Sequence, residues 1–160
     1  AKAQVLLRQR IVADPHDVEA LQTLGYSLML QARTDRAQAP QLLREAREWF
    51  GKGFAVDPDN ALLLYDFGVS RRGEPSYPSD NVLNVLLKAQ QLAPQVGQFR
   101  MAAADALMRR ERFDEAVAMV EPVLNNPHGG PGLAEARQRF EQAIARRRPV
   151  PAVEEDDKSG

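Results

Sequence analysis

The sequence predicts an all-α fold of stacked helix pairs, and three observations predict it. The composition favours helix: 44% of residues are hydrophobic and 27% charged, yet only 6% are aromatic. Ala, Leu, Arg and Gln outnumber the β-branched and aromatic residues that strands prefer. Proline-centred turns recur at Asp14-Pro15-His16-Asp17, Asp57-Pro58-Asp59-Asn60, Ala93-Pro94-Gln95-Val96 and Asn126-Pro127-His128-Gly129, with prolines spaced by 43, 36 and 33 residues. Between the turns apolar residues return at steps of three and four, as in Leu42, Leu43, Ala46, Phe50 and Phe54, which is the period of one helical face.

A proline inside a helix loses a hydrogen bond and clashes with the preceding turn. Each proline group therefore ends one helix, and the Asp or Asn that often follows can cap the next. This places helices over residues 2–13, 17–32, 41–56, 60–72, 80–92, 96–110, 112–125 and 132–147. The first carries Ala3 and Leu7, and the second, capped near Asp17, carries Leu21, Leu24 and Leu28. The stretch ARTDRAQAP (32–40) extends that helix, lengthens the turn, or does both. The third helix carries the Leu42–Phe54 stripe, and the fourth, after Asn60, carries Leu64 and Phe67. Gly73-Glu74-Pro75-Ser76-Tyr77-Pro78-Ser79-Asp80 is rich in turn formers and reads as a loop. The fifth helix follows with Val82, Leu86 and Ala89, the sixth with Arg100, Ala103 and Leu107, and the seventh with Ala116, Val120 and Val123. The eighth aligns Leu133, Ala136, Phe140, Ala143 and Ile144 on one stripe with Arg and Gln elsewhere. Such a polar outer face suits a terminal helix that nothing further covers. Residues 148–160 combine proline and charge with little apolar surface and are expected to be disordered.

The copies are in phase. Leu21-x2-Leu24-Gly25-x2-Leu28, Leu64-x2-Phe67-Gly68-x2-Arg71 and Arg100-x2-Ala103-Ala104-x2-Leu107 each place a small residue after a large one. Ala46-x3-Phe50-x2-Gly53-x4-Pro58, Val82-x3-Leu86-x2-Ala89-x4-Pro94 and Ala116-x3-Val120-x2-Val123-x3-Pro127 follow them. The chain resembles the tetratricopeptide-repeat (TPR) family, whose period is about 34 residues. Three repeats, at about 18–60, 61–96 and 97–130, follow a partial one carried by Ala3, Leu7 and Pro15, with a capping helix at 132–147. The domain spans 1–147. The resemblance implies an α–α superhelix, a solenoid of antiparallel helix pairs. Two insertions account for the long intervals. Arg71 and Arg100 depart from the pattern, which usually has large apolar residues there. The small residue has a mechanical purpose, since it lets the partner helix approach closely.

Little in the chain points to chemistry. A net charge of −1 supplies no global field to draw in nucleic acid or an anionic membrane. No run approaches the roughly 18–20 apolar residues that cross a bilayer. There is no cysteine, which removes disulfides and thiolate sites and fits cytoplasm or periplasm equally. His16 and His128 lie in turns without companions at metal-ligand spacing. Gly51-Lys52-Gly53 lies in a helical stretch and lacks the spacing of a phosphate loop. Gly129-Gly130-Pro131-Gly132 reads as a hinge. Arg109-Arg110 and Arg146-Arg147-Arg148 are basic but not interleaved with aromatics, as single-stranded nucleic-acid binding would require. The chain reads as no enzyme and carries no cofactor or metal motif.

What the resemblance implies instead is a concave groove lined by the first helix of each repeat. Its contact positions fall on Gln22, Tyr26 and Met29, then Leu62, Tyr65 and Val69, then Met101, Asp105 and Met108. Asp66 and Gln98 occupy further positions of the same kind. Tyr77 is the residue of the second insertion best suited to touch a partner. The expected function is a protein-interaction scaffold holding a peptide or helix of a partner protein, part of a larger bacterial protein or complex. The alternative is a docking arm of an enzyme whose catalytic domain lies outside this sequence, and a third reading is self-association through the terminal helices. The pattern opens inside a helix, which suggests a longer parent.

Overall fold

A computed structural model describes residues 2–124 and, beyond them, only Gln138, Glu141, Gln142 and Ala145, all helical. The expected capping helix at 132–147, the preceding turn with His128, and the tail lie otherwise outside the described residues. Three of the helices start where the sequence supplies a cap. The Asp17 carboxylate accepts from the Ala20 N–H, the Asn60 side chain from Leu63 N–H, and the Ser79 hydroxyl from Val82 N–H. Each satisfies one of the orphan donors of a first turn. Pro40 sits in the first turn of another helix, where its missing N–H is no loss. The resulting elements are α1 (Lys2–Ala13), α2 (Val18–Thr34), α3 (Ala39–Val56), α4 (Ala61–Val69), α5 (Asp80–Leu92), α6 (Gly97–Arg109) and α7 (Phe113–Leu124). No strand occurs among the described residues.

α2 packs on α3, α4 on α5 and α6 on α7 as hairpins, and each hairpin leans on the next through α3 with α4 and α5 with α6. The main contacts are thus between neighbours in sequence, with lesser ones between alternate helices, α4 with α6, α2 with α4 through Gln22 and Asp66, and α1 with α3 through Arg8 and Glu45, the mark of a solenoid. The small residues do what close packing requires. A Cβ on Gly25 would lie 2.4 Å from the Phe50 ring, one on Gly68 2.5 Å from Leu86, and one on Gly53 2.3 Å from Leu63. Gly25 and Gly68 close their own hairpins, and Gly53 seats the next one. Phe50, Leu63 and Leu86 are fully buried there.

Two lengths differ from expectation, each for a local reason. The first insertion both extends α2 to Thr34 and leaves a short turn before Ala39. α4 ends at Val69 rather than 72. The Ser70 hydroxyl donates to the Phe67 carbonyl at 2.7 Å, and the N–H groups of Arg71 and Arg72 reach back three residues to Gly68 and Val69. The helix tightens into turns before Gly73 and Pro75 can continue it. The two arginines that break the repeat pattern are held by their guanidinium groups. Arg71 lies 4.8 Å over the Phe67 ring and pairs with Glu74 at 3.1 Å. Arg100 donates to the carbonyls of Met119 and Pro94 at 3.1 and 2.9 Å.

Candidate binding groove

Residues 22, 26, 29 and 33 of α2 recur at four-, three- and four-residue steps and share one face. Opposite them stand Leu62, Tyr65, Asp66 and Val69 of α4, with Gln98 at the start of α6. Together they enclose an open groove of about 340 Å³. Tyr26 is 40% exposed and Leu62 43%, so both offer apolar area at its rim. Gln22 donates its side-chain amide to the Asp66 carboxylate. Asp66 is 1% exposed. Burial pushes its carboxyl up to about 6, and the Gln22 hydrogen bond only partly opposes this. The groove floor therefore holds one buried carboxylate with one neutral partner.

Several expected contacts sit elsewhere. Met29 and Met108 are buried, at 5% and 7% exposure. Met29 borders the groove only as floor, and Met108 belongs to the core between α5, α6 and α7. Tyr65 is half-buried and lies against Phe99 with ring centroids 4.8 Å apart, so it holds α4 to α6 as well as facing the groove. Val69 is half-buried at the groove's edge. Met101 and Asp105 are also half-buried but do not line the groove, and Asp105 pairs with Arg109 at 3.2 Å. From α6, only Gln98 reaches it.

Tyr77 is not a free contact of the insertion. Its ring packs against the α5–α6–α7 core with Arg109 5.5 Å above it, and its hydroxyl is buried. Arg110 donates to the Pro78 carbonyl at 3.2 Å and pairs with Asp80. The Arg109-Arg110 cluster thus ties down the second insertion. His16 is exposed, and its backbone N–H donates to Asp14 in the turn.

Two further hollows extend the groove. One of about 240 Å³ lies between Met29 and Arg33 on one side and Val69 and Arg72 on the other. The next, of about 760 Å³, lies beyond it at the edge where both insertions emerge, and Arg33 borders all three. Sequence reasoning missed this extension and the arginines around it. Their spacing at 33 and 36, within the first insertion, and at 44 and 47, just after it, was the available signal.

No protein-family model matches the sequence, and no curated protein matches it significantly. Solved structures do. MamA superposes with a TM-score of 0.68 at 20% identity, covering 87% of this chain and 73% of its own. TTC0263, a thermophilic TPR protein of Thermus thermophilus, gives 0.67 at 21% identity over 89% of this chain and 71% of its own. The Yersinia enterocolitica type III secretion chaperone SycD, solved in complex with a peptide of the translocator YopD, gives 0.58 at 16% identity over 80% and 89%. What these chains share is the fold.

Proposed function

We propose, from the premise that the chain has the fold of the tetratricopeptide-repeat proteins, that it is a protein-interaction scaffold. It captures a peptide segment of a partner protein in the groove between α2 and α4 and catalyses no reaction of its own. The observation that carries this reading is the exposed apolar rim of Tyr26 and Leu62 above a polar floor of Gln22 and Asp66. Exposed apolar anchors beside a few fixed polar groups are what peptide recognition uses. The floor selects as well as binds, because a buried carboxylate favours a donor, an amide or ammonium group, over a second acceptor. The SycD structure, of similar fold, holds a peptide of another protein, which supports a peptide as the occupant.

The test is selection of binders from a displayed random-peptide library, followed by fluorescence anisotropy of the enriched sequences. Tyr26→Ala with Leu62→Ala should weaken the selected peptides about tenfold or more while leaving the circular dichroism spectrum unchanged. A library that yields no enriched sequence, or binders indifferent to both substitutions, rejects the reading.

A further inference from the structure

The two insertions that lengthen the repeats meet at one place. The turn after α2 and the segment after α4 leave the solenoid on the same edge. Arg36 and Pro40 from the first, and Gly73 and Glu74 from the second, border the same cavity of about 760 Å³. It is more than twice the size of the hollow under Tyr26. Its lining is unlike the rest of a chain whose net charge is −1. Arg33, Arg36, Arg44 and Arg47 face it against the single carboxylate of Glu74. That carboxylate is already shared, with Arg47 at 3.2 Å and Arg71 at 3.1 Å. Among the described residues Arg33, Arg36 and Arg44 have no carboxylate within salt-bridge distance.

The arginines are held together at a cost. The Arg47 side chain is 19% exposed. Burial first, then repulsion from Arg71 and Arg44, lowers its affinity for its proton against the pull of Glu74. An anion entering the cavity relieves that repulsion and finds guanidinium forks suited to carboxylates. Ala32, Ala39, Pro40 and Leu43 supply an apolar wall with no aromatic face. This suits small aliphatic side chains and lacks the stacking platform a nucleobase would use. Arg33 joins the cavity to the groove of Tyr26 and Asp66.

We propose that this arginine-lined cavity receives an acidic stretch of the bound peptide, carboxylate side chains flanking an aliphatic one. The proposal rests on the reading of the chain as a peptide-binding scaffold. It adds that the partner is recognised by charge at the insertion edge and by apolar contact in the concave groove.

The probe is a fluorescein-labelled Glu-Leu-Glu-Glu-Leu-Glu peptide, with Gln-Leu-Gln-Gln-Leu-Gln as its uncharged match, measured by anisotropy at low ionic strength with the whole chain. The acidic probe should bind about tenfold or more tightly than the uncharged one. Arg36→Gln with Arg44→Gln should remove that difference. Both side chains are exposed and without ion pairs among the described residues, so the fold, checked by circular dichroism, is retained. Equal affinity for the two probes, or no effect of the double substitution, overturns the proposal. So does an oligothymidylate or inorganic pyrophosphate that displaces the probe at lower concentration than the unlabelled acidic peptide, since the cavity would then be a phosphate site. The concave-groove reading fails separately. If Tyr26→Ala with Leu62→Ala leaves library-selected binders intact while the arginine pair abolishes them, that reading falls and the acidic-stretch assignment stands.

Discussion

Acidification should stabilise this protein over a range in which carboxylate-bearing proteins usually change little, and Asp66 is the reason. Its carboxyl titrates at about 6 in the fold against an ordinary 3.8. The folded state therefore binds this proton more tightly than the unfolded chain does. The ionised form is penalised above pH 6, and the penalty is relieved as pH falls through that value. Between pH 7.5 and 5.0 the linkage relation gives a gain of about 1.4 kcal/mol, or about 3–6 °C in melting temperature for a chain of this size. The carboxylates of Asp17, Glu45 and Glu115 are held below their ordinary range, first by the Ala20 N–H, by Arg8 and by Arg112 respectively. Their contributions are lost only at more acid pH, so they do not mask the rise. Asp66→Asn keeps the shape and the hydrogen-bonding capacity toward Gln22 while removing the charge. It should be more stable than the parent by about 1–3 kcal/mol at pH 7.5, with the difference shrinking by about 1.4 kcal/mol at pH 5.0. Urea unfolding of both chains at the two pH values measures this. A parent whose stability is flat or falls on acidification, or a variant with the same pH slope, refutes the account of Asp66 as a buried, under-compensated carboxylate.

The remaining predictions concern packing and the division between core and groove. Gly25→Ala forces a Cβ to within 2.4 Å of a buried ring that cannot fold aside, and should cost about 1–3 kcal/mol in urea unfolding. Gly51→Ala, with nothing within 4 Å of the added atom, should instead stabilise by about 0.5–1 kcal/mol through helix propensity. Phe50→Ala should cost about 3–5 kcal/mol, because the ring is fully buried against Gly25. Tyr26→Ala and Tyr65→Ala should separate in a melting experiment. The first leaves the melting temperature within about 2 °C, while the second lowers stability by about 1–3 kcal/mol because it removes the stack on Phe99.

The helices were legible because they are local. Caps at Asp17, Asn60 and Ser79, proline-centred turns, and apolar steps of three and four are each written within a dozen residues. The repeat was legible for a related reason: Gly25, Gly53 and Gly68 mark the close approaches between consecutive hairpins. The groove was legible only in outline. The contact positions of a first helix came from the family resemblance, so Tyr26, Leu62 and Asp66 could be placed. How deep each lies depends on the neighbouring hairpin, so the burial of Met29, Met108 and Asp66 could not. The anchoring of Tyr77 was hidden because loop composition says nothing of the Arg109 and Arg110 side chains that pin the loop from α6 and its C-terminal end.

The arginine cavity lies at the far end of this scale, and the geometry of a solenoid explains why. In stacked hairpins the turns within repeats all emerge on one edge, and those between repeats on the other. Extra length in two successive within-repeat turns is therefore brought side by side, although residues 33–47 and 70–74 are separate in sequence. Loop closure adds little cost for the added residues, so such edges can gain length without disturbing the hairpins beneath. Here Gly25 against Phe50 and Gly68 against Leu86 keep both hairpins in register while their turns diverge from the repeat length. The regular part of this protein thus presents the groove, and the irregular part presents a charge pattern that the repeat does not encode. Selectivity for an acidic segment, if measured, would belong to the first insertion together with the α3 arginines that face it. Arg36→Gln with Arg44→Gln, both exposed at the insertion edge, should abolish discrimination between acidic and uncharged peptides while retaining the dependence on Tyr26 and Leu62.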